Sequence, residues 1–279
     1  MRSVADLDVR SKRVFIRADL NVPLTDGRIA DRTRINATLP TIRFVLDHGG
    51  RPVIASHLGR PKGKPRPELS LAPVGEYLGQ VLDRRVALAP DCVGDATERL
   101  VRGADGPVLL ENLRFHPEEE ANDDGFARQL AGLADVYVDD AFAAAHRAHA
   151  SIAAITRYLQ PAAAGLLMKR ELEALTRILE SPERPLVAVL GGAKVSDKIA
   201  LVEHLLARVD ALVIGGGMAF TFLRALGHDV GRSLVEPERA MYASRISRGR
   251  RSKSPTRSYM AATAMMAFTR GSQATARST

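Results

Sequence analysis

The sequence predicts an α/β fold organised around a doubly wound parallel sheet. Short, nearly continuous apolar stretches, such as RVFIRA at residues 13–18, alternate with longer amphipathic stretches, such as residues 33–49. Strands that are apolar on both faces are typical of parallel sheets covered by helices on both sides. The hydrophobic content of 46% is that of a globular protein with a substantial core.

Each element rests on its own local pattern. The predicted strands, which are short and rich in apolar and β-branched residues, are 13–18, 51–56, 86–90, 107–112, 135–142, 185–192 and 210–217. The predicted helices, which repeat apolar residues every three or four positions, are 33–49, 69–82, 165–180, 196–209 and 218–227. The prolines and glycines of HLGRPKGKPRPEL, after the second strand, predict a loop.

The strand–helix pattern starts again after Ser181-Pro182, which predicts a second α/β domain. The expected organisation is a complete first domain at 1–164, a connecting helix at 165–180 and an incomplete second domain at 181–242. Residues 243–279 consist largely of Ala, Ser, Thr, Arg and Met without a sustained period, and are expected to be disordered.

The net charge of +8 lies wholly in this C-terminal tail. Residues 243–279 hold eight Lys and Arg and no acidic residue, whereas the preceding residues hold 32 basic and 32 acidic side chains. A nucleic-acid-binding body usually has a basic face of its own, and the tail lacks interleaved aromatic residues for base stacking. Nucleic-acid binding through the tail is therefore the least favoured alternative.

The sequence favours a cytoplasmic location and no membrane partner. The first residues, MRSVADLDVRSKRVF, carry charges where a signal peptide is apolar, and no stretch of about 18 apolar residues is present. A single cysteine, Cys92, excludes an internal disulfide and suits a reducing compartment. Cys92 is predicted to be a buried, small apolar side chain.

Charged and polar side chains follow the ends of several predicted strands and the start of the first long helix. These side chains are Asp19, Asn21, Arg32, Arg34, His57, Arg60, Arg114, His116, His146, Arg147 and His149. Ligands of parallel sheets bind beyond the carboxyl ends of the strands, so these groups are expected to meet at one edge. Guanidinium groups there favour a small, highly anionic ligand, because each binds phosphate or carboxylate oxygens two at a time.

Each of these residues has an ordinary structural alternative. A single Arg after a strand is commonly solvated or capping, and the histidines could be ordinary loop residues. A metal site is disfavoured because the Cys and carboxylate residues lack ligand spacing, and the acidic run Glu118–Glu120 is predicted to be a solvated helix start. The recurrence of Arg at several strand ends favours the functional interpretation.

Two glycine clusters in the second half of the sequence predict a nucleotide-binding site. VAVLGGAKVSDKI places Gly191 and Gly192 at a strand end, followed by Lys194 and Lys198, and VIGGGMAF places three more glycines after the next strand. Glycines allow close approach of the backbone to phosphates, helix N-termini add exposed amides, and lysines neutralise phosphoryl oxygens. Neither cluster is the P-loop or the GxGxxG dinucleotide pattern.

Seven motifs, in order along the chain, resemble those of phosphoglycerate kinase: ADLNVP, TRI, SHLGRP, LENLRFH, HRAHAS, LGGAKVSDK and GGGMAFTF. The resemblance covers about residues 1–242. It implies a two-domain, monomeric α/β kinase of glycolysis. The implied reaction is reversible phosphoryl transfer between 1,3-bisphosphoglycerate and ADP, giving 3-phosphoglycerate and ATP, with Mg²⁺ bound to the nucleotide.

The resemblance implies roles for residues of this sequence. The implied substrate-binding set on the first domain is Asp19, Leu20, Asn21, Arg34, His57, Leu58, Gly59, Arg60, Arg114 and Arg147. The implied nucleotide-binding set on the second domain is Gly191, Gly192, Ala193, Lys194, Lys198, Gly215, Gly216 and Gly217. Arg34 and Lys194 are the implied catalytic residues, and no metal-ligating residue is implied.

The sequence departs from the family after about residue 242. Family members continue through further strands, an acidic residue that binds the ribose, and a late glycine-rich loop with an Asp that engages phosphates and Mg²⁺. The expectation is therefore a C-terminally truncated or frameshifted chain that exposes apolar surface, tends to aggregate and has lost most or all turnover. A phosphoglycerate or nucleotide binder without catalytic activity is the main alternative.

Overall fold

The computed structural model of the chain describes residues 1–239, Met241 and Ala243. Contacts between Cα atoms divide the chain into two compact units, the first at Met1–Leu175 and the second beginning at Thr176. The predicted tail at 243–279 lies outside the described residues, apart from its first position.

The first unit contains a six-stranded sheet. Its strands and a neighbouring hairpin are β1 (Arg13–Ala18), β2 (Leu24–Thr25), β3 (Arg28–Ile29), β4 (Arg51–Ala55), β5 (Ala87–Leu88), β6 (Val108–Leu109), β7 (Val136–Asp140) and β8 (Ala162–Ala164). The order in the sheet is β5-β6-β4-β1-β7-β8, and every neighbouring pair is parallel. The short strands β2 and β3 form a separate antiparallel pair.

Helices cover both faces of this sheet. They are α1 (Thr33–Asp47), α2 (Ala72–Leu82), α3 (Asp95–Gly103) and α5 (Asp124–Ala131). The short helix α4 (Pro117–Ala121) precedes α5, and α6 (Leu166–Glu180) begins in the first unit and continues past its last residue, Leu175. Because successive strand residues point to opposite faces, Phe15 packs in a core with α3 and α5, whereas Val14 and Ile16 pack in a second core with α1 and α2. The predicted doubly wound α/β fold is confirmed. No helix among the described residues is both long and apolar enough to cross a membrane.

Several elements differ from the sequence prediction. The strand predicted at 107–112 is reduced to β6, because the chain turns into a 3-10 helix at Leu113–Phe115. The helix predicted at 33–49 ends at Asp47, and Gly49 adopts a φ of 74°, a conformation that favours glycine. The hairpin and β8 were not predicted, because strands of two or three residues contain too few periods to detect. The helices α3 and α5 were not predicted either, since each has only a few apolar residues among polar ones.

The second unit contains a two-stranded parallel sheet, β9 (Val187–Gly191) and β10 (Ala211–Gly215), with helices α7 (Ile199–Leu206) and α8 (Met218–Ala225). Val202, Leu212 and Phe222 belong to its core. The helix predicted at 196–209 begins as a 3-10 turn and continues as α7. One side of β9 faces solvent, since Val189 is 78% exposed.

A buried carboxylate fixes the start of α6. Asp140, at the end of β7, accepts hydrogen bonds through Oδ1 from the amides of Leu167 at 2.9 Å and Met168 at 3.1 Å. Burial raises the pKa of Asp140 to about 6. The neighbouring Gly165 leaves room for this arrangement, because a Cβ at that position would overlap the Asp140 carboxyl group.

We expect Gly165→Ala to destabilise the first unit by about 1–3 kcal/mol, because the added methyl group displaces Asp140 from the α6 amides. The matched control is Gly103→Ala at the exposed end of α3, where a Cβ meets no atom within 4 Å and where we expect no loss of stability. Urea unfolding followed by circular dichroism measures both. Equal midpoints for the two variants would contradict the expected overlap.

Candidate functional site

The carboxyl ends of β1, β4 and β7 lie at the centre of the candidate site. β4 and β7 pair with opposite sides of β1, so the chain leaves β1 in one direction and later returns on its other side. At such a change of direction the connecting loops diverge and leave a crevice beyond the carboxyl ends. The predicted anion-binding residues follow these strands and β6.

An ion pair lies after β1. Nη1 of Arg34, near the start of α1, donates to Oδ2 of Asp19 at 2.7 Å. Asp19 is buried, and its Oδ1 has no hydrogen-bond partner among the described residues. The Arg34 side chain is half exposed, so part of its guanidinium is open to a ligand. Arg32, in contrast, lies over the ring of Tyr77 at 4.7 Å.

Hydrogen bonds connect the segment after β1 to those after β4 and β6. Oδ1 of Asn21 accepts from the amide of Gly59 at 2.9 Å, and the carbonyl of Gly59 accepts from Nη1 of Arg114 at 3.1 Å. Gly59 has a φ of 63°, which explains why a glycine stands between these two contacts. Three loops are thereby joined through one residue.

Asn112 holds the loop after β4. Its Nδ2 donates to the carbonyls of Leu58 at 2.7 Å and Leu69 at 3.0 Å, while its Oδ1 accepts from the amides of Leu58 at 3.2 Å and Arg114 at 3.1 Å. The buried amide therefore uses both donor hydrogens and both lone pairs. The side chains of Leu58 and Leu20 pack in the hydrophobic core, and their amides already donate to Asn112 and Ser56, so neither residue offers a side chain or a free amide to a ligand.

Three arginines bring positive charge to the site. Arg114 is nearly buried, and its Nε lies 3.3 Å from Glu120 but makes no hydrogen bond within the described residues. Burial lowers the pKa of Arg114. Arg60 and Arg147 are exposed, and neither side chain is paired in the described part of the chain. The positive charge of Arg147 also contributes to lowering the pKa of Arg114, less than burial does.

A buried polar network adjoins these groups. Arg17, inside β1, and Glu119, inside α4, are both 0% exposed. Arg17 donates through Nε to Oγ of Ser151 at 2.8 Å and through Nη1 to the carbonyl of Ala18 at 2.6 Å. Glu119 accepts from the hydroxyl and the amide of Ser151 at 2.6 and 2.9 Å, and lies 4.0 Å from Nη2 of Arg17. The prediction that the run Glu118–Glu120 is solvated is wrong for Glu119, because this helix position faces the interior.

His57 contacts the buried network. Nη2 of Arg17 lies 3.2 Å from Nδ1 of His57. Burial, together with the positive charges of Arg17, Arg114 and Arg147, lowers the pKa of His57 to about 2, so the imidazole is neutral. Burial also lowers the pKa of His149, whose Nδ1 has no hydrogen-bond partner in the described chain.

One group of potential metal ligands was not foreseen from sequence spacing. The ligand atoms of Asp91, Cys92 and His116 lie within 4.8 Å of one another. Nε2 of His116 lies 2.6 Å from Oδ1 of Asp91, and the thiol of Cys92 donates to the carbonyl of Glu111 at 2.9 Å. Cys92 is buried, as predicted, and burial raises the pKa of its thiol. Hydrogen bonding therefore accounts for this group without a metal.

In the second unit the two glycine clusters approach each other. A Cβ on Gly216 would lie 2.9 Å from the carbonyl oxygen of Gly192, and a Cβ on Gly217 would lie 3.0 Å from that of Ala193. Side chains at either position would push the two loops apart. Gly216 and Gly217 are therefore required by the packing of the loops themselves, whatever ligand binds there.

The predicted lysines lie beside a carboxylate that sequence analysis did not single out. Lys194 is exposed and Lys198 is half-buried, and neither forms an ion pair within the residues described. The amides of Val195 and Ser196, which lead into α7, donate to Glu236 at 2.5 and 3.1 Å. Hydrogen bonds from Ser196 lower the pKa of Glu236. The amides expected to be open to phosphate are thus partly occupied.

We expect Asn112→Ala to destabilise the first unit by about 2–4 kcal/mol, because it leaves several main-chain groups unpaired. Hydrogen exchange at the Leu58 and Arg114 amides should accelerate in parallel. Asn36→Ala is the matched control, since Asn36 is exposed and accepts one hydrogen bond, from Tyr77. Unchanged protection at Leu58 would contradict the role given to Asn112.

Comparisons with known proteins agree with the fold and the motifs. The sequence profile of the phosphoglycerate kinase family matches residues 4–276. The phosphoglycerate kinases of Moorella thermoacetica and Thermomicrobium roseum are 56% and 57% identical over 246 and 248 residues, which cover 88% of this chain. The chain spans 62% and 63% of the length of these relatives.

Solved structures that are similar to the chain include two phosphoglycerate kinases. The phosphoglycerate kinase of Coxiella burnetii is 45% identical, with a TM-score of 0.78 over 88% of this chain and 62% of that one. The phosphoglycerate kinase of Pyrococcus horikoshii is 33% identical, with a TM-score of 0.75 over 88% and 64%. The resemblance inferred from seven motifs is therefore confirmed, and the chain belongs to the phosphoglycerate kinase family.

Proposed function

We propose that the first unit binds 3-phosphoglycerate or 1,3-bisphosphoglycerate and that the chain serves phosphoryl transfer between 1,3-bisphosphoglycerate and ADP, the reaction of its family. One observation carries the proposal. Four buried side-chain polar atoms lack a hydrogen-bond partner among the described residues, and three belong to this site: Asp19 Oδ1, Arg114 Nε and His149 Nδ1. Such atoms are costly to leave unpaired, and a polar ligand would satisfy them.

The mixture of groups suits a phosphorylated hydroxy acid better than a bare anion. The exposed guanidinium groups of Arg60 and Arg147 suit phosphate and carboxylate oxygens. Oδ1 of Asp19 can only accept a hydrogen bond when ionised, which suits a hydroxyl group. Asn21 has its oxygen engaged by Gly59, which leaves its NH₂ group as a donor. A glycerate phosphate carries all three kinds of partner.

The proposed roles in the transfer step follow from charge. Direct in-line transfer requires positioning and neutralisation of the phosphoryl oxygens rather than a covalent enzyme intermediate. Arg34, held at one nitrogen by Asp19, would stabilise the transferred group from the first unit. Lys194, which is exposed, would do so from the second. Arg34 is thus positioned by Asp19 while part of its guanidinium remains exposed, whereas Lys194 is an exposed cation with no ion pair within the described residues.

Nucleotide phosphates are proposed to bind along β9 and β10 in the second unit. Gly191 and Gly215 support this, because a Cβ at either position would meet no atom of the described residues within 4 Å. Lys194 and Lys198 supply positive charge beside this space. The negative charge of Glu236 lies next to Lys194 and limits how closely a phosphate can approach the amides that Glu236 occupies.

The described residues do not fit a protein-held Mg²⁺. Magnesium prefers oxygen ligands in octahedral geometry. Within the described chain, the one group spaced like a metal site is Asp91, Cys92 and His116, which offers a thiol and an imidazole. No side chain is therefore proposed as a magnesium ligand, and the ion would be carried by the nucleotide phosphates.

Isothermal titration calorimetry with 3-phosphoglycerate tests the first-unit site. We expect Arg147→Gln to weaken binding at least about tenfold, since a charge-assisted hydrogen bond contributes about 1.5–3 kcal/mol. Arg128→Gln removes the same charge from a residue stacked over Tyr158 at 4.7 Å, and should bind like the unmodified chain. The proposal fails if the unmodified chain shows no binding, or if both variants bind equally well.

Titration with Mg-ADP tests the second unit. Lys194→Gln and Lys198→Gln should each weaken binding about tenfold, because each removes a cation from the phosphates. The control is Lys12→Gln, a half-buried lysine of the first unit, which should have no effect. Equal affinities for all three variants would place the nucleotide elsewhere.

A further inference from the structure

We infer that Arg17 is a positioning residue for His57: it holds the imidazole neutral with its proton on Nε2, so that His57 presents a hydrogen-bond donor to the ligand of the first-unit site. The identity of that ligand rests on the proposed function. The tautomer does not, because it follows from contacts within the chain. Nothing in the sequence motifs assigns a role to Arg17.

The contact between the two side chains decides the tautomer. Nη2 of Arg17 lies 3.2 Å from Nδ1 of His57. A guanidinium group only donates hydrogen bonds, so Nδ1 must accept. A proton on Nδ1 would point at the N–H of Arg17, which excludes both the Nδ1–H tautomer and the doubly protonated imidazolium. The neutral ring then carries its proton on Nε2.

Arg17 cannot rotate away from this contact. Its other nitrogens are engaged by Oγ of Ser151 at 2.8 Å and by the carbonyl of Ala18 at 2.6 Å. Glu119 balances its charge at 4.0 Å and holds Ser151 through two further hydrogen bonds. Arg17 and Glu119 are both fully buried, so water does not compete for these groups. Glu119 and Ser151 therefore position Arg17, which positions His57.

The opposite nitrogen of His57 is open. Nε2 makes no hydrogen bond within the described residues, and this atom is not fully buried. It therefore contacts solvent while Nδ1 is engaged. Unpartnered atoms of Asp19 and Arg114 mark the same site, and Arg114 acts electrostatically on His57. The open N–H of His57 thus adds a neutral donor to the site.

The charges around His57 maintain this state across the physiological pH range. Burial opposes protonation of His57 most strongly, and three positive charges add to it: Arg17 from β1, Arg114 from the turn after β6 and Arg147 from the segment after β7. His149, in the same segment, is kept neutral by its own lowered pKa. The carboxylate of Glu119 faces Arg17 and His149: its Oε1 lies 4.0 Å from Nη2 of Arg17 and 3.7 Å from Nδ1 of His149. Positive charge for an anionic ligand therefore comes from the arginines, and the donor of His57 persists as the pH rises.

Nitrogen-15 NMR of the intact chain, without ligand, tests the tautomer. Two-bond ¹H–¹⁵N spectra of histidine-labelled protein are recorded from about pH 8 down to about pH 5, and His57 is assigned by the signal lost in His57→Gln. We expect the Nε2–H pattern throughout. His48 is the internal control: its Nδ1 lies 2.8 Å from the carbonyl of Phe44, which requires the opposite neutral tautomer. An Nδ1–H pattern or a titration within this range at His57 overturns the inference.

Substitution of Arg17 supplies the second measurement. Arg17→Met should raise the protonation midpoint of His57 and allow the Nδ1–H tautomer to appear, because the obligatory donor and its charge are lost, while burial still holds the midpoint below the usual value. Arg13→Met is the matched control in the same strand, where the side chain pairs with Asp135 at 2.6 Å instead. A folded Arg17→Met variant whose His57 still shows only Nε2–H overturns the role of Arg17. If that variant does not fold, the spectrum of the unmodified chain alone decides.

Addition of 3-phosphoglycerate separates this inference from the proposed function. We expect the Nε2 resonance of His57 to shift on saturation, whereas His48 does not respond. A correct tautomer with no binding in calorimetry overturns the proposed ligand and leaves the assignment of Arg17 intact. Binding without any response at Nε2 overturns the donor role. A wrong tautomer overturns the inference, whether or not the ligand binds.

Discussion

The buried pair of Arg17 and Glu119 is the interaction on which the first-unit site depends. Two charges in the interior are costly unless their hydrogen-bonding groups are satisfied, and removal of either partner leaves the other uncompensated. Here both are bonded to Ser151, which links a strand in the middle of the sheet to α4. The carbonyl of Ser151 also accepts from the hydroxyl of Tyr137 at 2.9 Å. The segment that carries Arg147 and His149 is thus anchored to the sheet through buried polar contacts.

The rule that ligands bind beyond strand ends was sufficient to find most charged residues of the candidate site. Asp19, His57 and Arg114 each follow a strand that the sequence pattern predicts. The rule could not find Arg17, because it lies inside β1, where the pattern predicts only core. Nor could it find Glu119, since three consecutive glutamates give no sign of which one faces inward.

The glycines and lysines of the second unit show a different limit of sequence reasoning. A glycine cluster after a strand predicts that another group approaches the backbone closely. The pattern does not distinguish a ligand from a neighbouring loop of the same chain. At Gly216 and Gly217 the neighbouring loop approaches, whereas no atom of the described residues lies within 4 Å of a Cβ at Gly191. Similarly, the amides that follow Lys194 are occupied by Glu236, 40 residues away from Ser196 along the chain. Contacts at such separation are set by the tertiary fold.

The charge distribution of the site explains why a neutral histidine lies among arginines. Arg114 and Arg147 repel each other, and burial adds to this by lowering the pKa of Arg114. A protonated His57 would be a further cation in the same space, and no carboxylate among the described residues forms an ion pair or hydrogen bond with it. A neutral donor adds a directional hydrogen bond without that repulsion. An anionic ligand would relieve the repulsion among the arginines, so ligand binding and the internal stability of this site are thermodynamically coupled.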